Sequence, residues 1–102
     1  MDSSRVLLLL FAIFLVLSPP IVAGEPPHSI PRTAVESSNL KSVGYDAASK
    51  TLEVEFNHGG IYRYLNVPPA THKALMKSES KGNFFNANIR RKFRFQRWKE
   101  AS

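Results

Sequence analysis

Between Thr51 and Val67 the side chains leave the backbone little choice. Leu52, Val54 and Phe56 alternate with Glu53 and Glu55, the period-two pattern of a strand with one apolar and one wet face. His58-Gly59-Gly60 follows as a tight turn, where glycine accepts positive φ, and Ile61 to Val67 returns as a second strand. Loop length sets the register. A three-residue loop pairs Asn57 with Ile61, then Phe56 with Tyr62, Glu55 with Arg63 and Val54 with Tyr64. Both tyrosines then lie on the apolar face and Arg63 meets an opposite charge; such pairs contribute roughly 0.2–1 kcal/mol each. A two-residue loop flips every side chain and sends Arg63 coreward, so the first register is expected. Glu53 and Glu55, roughly 7 Å apart by strand rise, read as a solvated face. No apolar pocket adjoins them to make the paired carboxylates of a glycosidase.

The flanking sequence completes a small α+β unit. A further strand precedes the hairpin, giving about three antiparallel strands at roughly 39–46, 51–57 and 61–67. Pro68-Pro69 ends the sheet and starts a helix at roughly 69–77. Ser80 is available to cap a second helix at roughly 81–92, with Phe85 and Ile89 on one stripe and Arg90 on its flank. The end, Phe93-Arg94-Phe95-Gln96-Arg97-Trp98, alternates imperfectly and reads as an extended tail on the sheet.

The N-terminus reads as an export signal. Residues 6–17 form an unbroken run of 12 apolar residues behind Arg5, broken by Ser18-Pro19-Pro20 and followed by Ala23 and Gly24 as candidate cleavage positions. A membrane-spanning helix needs about 20 residues. The expected organisation is a signal peptide over 1–23, a proline-rich extended linker over 24–34, a domain over 35–98 and a short tail over 99–102. The expected location is secreted or periplasmic, with membrane contact only if the signal stays uncleaved.

Chemistry is sparse. A chain of 102 residues holds one small domain. With no cysteine there is no disulfide, thiol nucleophile or cysteine zinc site. His28, His58 and His72 lack a second ligand at metal-binding spacing, and Ser37, Ser38, Ser78 and Ser80 lack an activating base. No catalytic residue, metal or cofactor is expected.

Taken together, Val35-x-Ser37-Ser38-Asn39-Leu40, Val43-Gly44-Tyr45-Asp46, Leu52-x-Val54-x-Phe56, Tyr62-Arg63-Tyr64, Val67-Pro68, Ser80-Lys81-Gly82, Phe84-Phe85-Asn86 and Ile89-Arg90 resemble the KTSC domain. Tyr62-Arg63-Tyr64 is similar to its central YxY signature. That family occurs at the C-terminus of some lysyl-tRNA synthetases and as small bacterial proteins, and the resemblance implies RNA binding. Phe84, Phe93 and Phe95 stand where the family often has tyrosine.

Charge supplies the sharpest functional feature. The net charge is +6, and from Arg90 to Ser102 six Lys or Arg face one acid, Glu100. Phe93, Phe95 and Trp98 are interleaved, the cation–aromatic mixture that single-stranded nucleic acid or an anionic lipid surface accepts. The expected function is a non-catalytic binding module whose anion-binding residues are Arg63, Arg90, Arg91, Arg94, Arg97 and Trp98. Its partner is RNA, an envelope polyanion such as lipopolysaccharide, or a protein.

Overall fold

The hairpin forms, and three more strands join it. The structure, a computed structural model, describes residues 26–99; the candidate export signal and residues 100–102 lie outside them. The elements run β1 (Arg32–Ala34), β2 (Leu40–Asp46), β3 (Thr51–Phe56), β4 (Ile61–Tyr64), α1 (Pro69–Lys77), α2 (Lys81–Asn88) and β5 (Phe95–Lys99). The sheet has five antiparallel strands in the order β1-β2-β3-β4-β5, not about three. Its two added edges come from the segments read as linker and tail.

Faces follow the alternation, while the register differs from expectation by two residues. Val54 pairs with Tyr62, Glu53 with Arg63 and Glu55 with Ile61. The turn is closed by Phe56 N–H donating to the Gly60 carbonyl at 3.1 Å and Gly59 N–H to that of Phe56 at 3.0 Å. Gly59 and Gly60 take φ of 109° and 92°, left-handed values that a Cβ disfavours. A two-residue shift preserves which face each side chain meets, so Tyr62 and Tyr64 still lie with Val54. The β4 strand stops at Tyr64, short of residue 67, because Asn66 adopts φ of 59°.

Both helices cover one face. Pro69 opens α1 without needing an amide partner, and Ser80 Oγ caps α2 by accepting from Asn83 N–H. That helix ends at Asn88 and not at residue 92: the Phe85 carbonyl accepts from both Ile89 and Arg90 N–H groups, at 2.9 and 3.0 Å, and the chain turns. Leu40, Val43, Leu52, Val54, Tyr64, Val67, Leu75, Phe85 and Ile89 form the core between helices and sheet.

One core-edge contact gives a pH dependence. His72 of α1 stacks on Tyr45 with ring centroids 4.6 Å apart and planes 9° off parallel, and Tyr45 Oη donates to the Val67 carbonyl at 2.6 Å. Burial pushes the His72 pKa below its ordinary 6.5. Folding therefore favours the neutral ring. Its contribution to stability is present above about pH 6.5 and is lost as pH falls. Urea midpoints should drop between about pH 7.5 and 5, and His72→Phe, which keeps a stacked ring, should reduce that drop. An equal drop in the variant would assign the effect elsewhere.

Candidate functional site

Strand parity sorts the expected binding residues onto two faces. On the helix-covered face, Tyr62 and Tyr64 of β4 stand beside Arg97 and Phe95 of β5, their register partners. Where α2 ends early, a groove of about 590 Å³ opens between the sheet and the turn after the helix, lined by Phe56, Tyr62, Tyr64, Phe85 and Phe95 and edged by Arg90 and Arg91. That volume is typical of small-ligand clefts.

The rings form a connected set. Tyr62 meets Phe56 edge-on at 5.6 Å and Phe95 at 5.9 Å. Phe85 meets Phe56 and Tyr64 edge-on at 5.5 and 5.2 Å. His58 lies flat against Phe56 at 5.5 Å. Phe95 remains 56% exposed, so one ring in the groove offers a face to solvent. The Arg97 guanidinium stands 5.9 Å from the centroid of the Tyr62 ring.

Charge in the groove is positive. The ion pairs among the described residues join Arg32, Lys41 and Arg63 to Glu53 and Glu55, and none engages Arg90, Arg91 or Arg94. Burial pushes the Tyr64 hydroxyl up to about 12, with the nearby Arg90 charge acting the opposite way; it stays a neutral hydrogen-bond donor at physiological pH. Arg94 is exposed at the entry to β5, outside the lining, and its carbonyl accepts from Leu65 N–H at 2.8 Å.

The other face corrects two expectations. Glu53 and Glu55 do not form a solvated face: Glu53 is 1% exposed and Arg63 0%. Arg63 Nε donates to Glu53 Oε1 at 2.7 Å, and its two terminal nitrogens donate to the Pro27 and His28 carbonyls at 2.6 and 3.0 Å. Its guanidinium carbon lies 3.6 Å from the centroid of the Trp98 ring. Arg63 and Trp98 therefore serve each other and do not offer charge or ring to a partner at the groove. The reason is parity: Arg63 alternates with Tyr62 and Tyr64, so it must point away from them.

Asn39, His58 and Asn86 complete the lining; in the sequence they marked family motifs and a turn, not a site. Phe85 was legible as a core stripe, but its place beneath an opening depended on where α2 stops. No group of three or more metal-ligating side chains occurs among the described residues, and none of their helices is long and apolar enough to cross a membrane.

Comparison with known proteins agrees with this architecture. A crystal structure of a KTSC domain protein from Yersinia pestis superimposes with a TM-score of 0.66 at 39% identity, covering 68% of this chain and 97% of that one. An uncharacterized protein of Stutzerimonas stutzeri is 49% identical over 55 residues, 54% of this chain and 78% of that protein. A lysine–tRNA ligase of Nostoc punctiforme is 37% identical over 68 residues, which are 67% of this chain and only 12% of the ligase. The KTSC domain model matches residues 36–93, more than half of the sequence, and the chain belongs to the KTSC domain family.

Proposed function

We propose that this chain is a non-catalytic binding module that takes single-stranded nucleic acid in the groove between β4, β5 and the end of α2. The observation that carries the reading is an open aromatic face, Phe95 beside Tyr62 and Tyr64, edged by Arg90 and Arg91, which take no part in the ion pairs among the described residues. Unpaired bases stack on such rings, and arginines meet the phosphates. A duplex, whose bases are already stacked, gains nothing from the rings. Similarity to part of a lysine–tRNA ligase supports a ligand of this class.

A uridine oligonucleotide of about ten nucleotides, titrated by fluorescence anisotropy across a salt series, tests the reading. Replacing Arg90 and Arg91 together by alanine should lower the slope of log Kd against log salt by about 1.4, at roughly 0.7 per phosphate contact. Phe95→Ala should weaken binding roughly 5- to 100-fold. If neither variant differs from the parent, the groove is not the site.

The hydrophobic run at residues 6–17 favours a second reading. We propose export for this chain, and outside the cytoplasm the same basic groove meets envelope polyanions. Binding to phosphatidylglycerol vesicles with no binding to the oligonucleotide would move the assignment there.

A further inference from the structure

The back of the sheet carries a row of register partners across all five strands: Arg32, Gly44, Glu53, Arg63 and Gln96. Leading into β1, the chain crosses this row. Pro31 passes over Gly44, where a Cβ would collide with the Pro31 carbonyl oxygen and crowd Ile30 Cγ2 at 3.0 Å. Ile30 is 4% exposed, whereas Pro27, His28, Ser29 and Pro31 are exposed. The crossing segment is thus held by one apolar anchor and two backbone carbonyls, both on Arg63.

The far end of the crossing reaches β5. Opposite Ile61 and Tyr62, β5 carries one extra residue, because Tyr62 pairs with Arg97 and Ile61 with Lys99. A bulge of this kind re-aims a side chain, and here it lays Trp98 across Arg63 with His28 edge-on at 5.9 Å. As an edge strand, β5 pairs with β4 alone. Its other side carries Phe95, which lines the groove, and Arg97, whose guanidinium stands near the Tyr62 ring.

We propose that residues 26–31 are a latch that closes on Arg63 and, through Trp98, positions β5 and with it the Phe95 side of the groove. Arg63, Trp98 and Ile30 are positioning residues. They lie behind the sheet, and their effect on a ligand is exerted through strand β5. The effect on a ligand rests on the binding reading above, while the latch itself is readable without any ligand.

The full chain tests it through two substitutions. Gly44→Ala expels Pro31 by collision, and Ile30→Ser removes the anchor without one. Trp98 is the single tryptophan, so acrylamide quenching reports directly on the latch. Both variants should raise its quenching by about twofold and speed amide exchange in β5 by about tenfold, with β3 amides unchanged. Binding of the uridine oligonucleotide should weaken by roughly fivefold, following the loss of β5 order. Unchanged quenching and unchanged β5 exchange in whichever variants fold would overturn the latch. An opened latch with undiminished oligonucleotide affinity would overturn its control of the groove. If the parent protein binds no oligonucleotide, the binding reading fails by itself, and quenching with β5 exchange still decides the latch.

Discussion

Arg63→Met is expected to destabilise the fold by about 3–5 kcal/mol, a large part of what a domain this small possesses. Methionine fills much of the volume but strands Glu53, which is 1% exposed and keeps only Arg32 as a charged partner. The loss is the cost of a carboxylate buried with too few donors, more than the value of the ion pair itself. A second variant separates the two. Replacing Arg63 by methionine and Glu53 by leucine removes both charges and should be more stable than Arg63→Met alone, since an apolar pair can match a buried ionic one. Urea unfolding of the three proteins decides: a single variant within about 1 kcal/mol of the parent would mean that Glu53 finds water easily.

Phe85→Ala should cost a similar amount, about 3–5 kcal/mol, by a different route. The ring is 1% exposed and wedged edge-on between Phe56 and Tyr64, so its removal forfeits burial and leaves a void beneath the groove. Phe85→Leu keeps an apolar filling and should lose clearly less. Equal losses from the two would show that ring geometry, not volume, holds this corner. Unfolding midpoints give the first comparison, and the near-ultraviolet circular dichroism of the neighbouring rings gives the second.

The legible parts of the fold were those written in side-chain periodicity. Alternation through Leu52, Val54 and Phe56 put side chains on the right faces, and Tyr62 and Tyr64 fell with them, but the face expected to be wet is covered at Glu53. The register was not legible, because a slip of two residues leaves every face intact and only the pairing partners change. It gave Arg63 the buried Glu53 in place of Glu55. The end of α2 was hidden for a related reason: Arg90, Arg91 and Lys92 are good helix formers, and what stops the helix is a carbonyl of Phe85 taken by two amides.

Backbone contacts left still less trace. Nothing in the side chains of Pro27 and His28 announces that their carbonyls accept from Arg63, so a proline-rich stretch passed as a spacer. The bulge at Trp98 spoiled the alternation that would have marked β5 as a strand. At the site, the cation–aromatic mixture was visible in the composition of the C-terminus. Its division between two faces was not, and that division sends Phe95 to the groove, Arg97 to the Tyr62 ring and Trp98 to Arg63.

The meeting of His28 with Trp98 brings the two ends of the described chain together behind the sheet, on the side away from the aromatic opening. Neighbouring entry and exit points let a module be spliced into or hung from a larger polypeptide with little distortion. A tether attached at either of these points would therefore hold the unit by its back and leave its mouth facing outward.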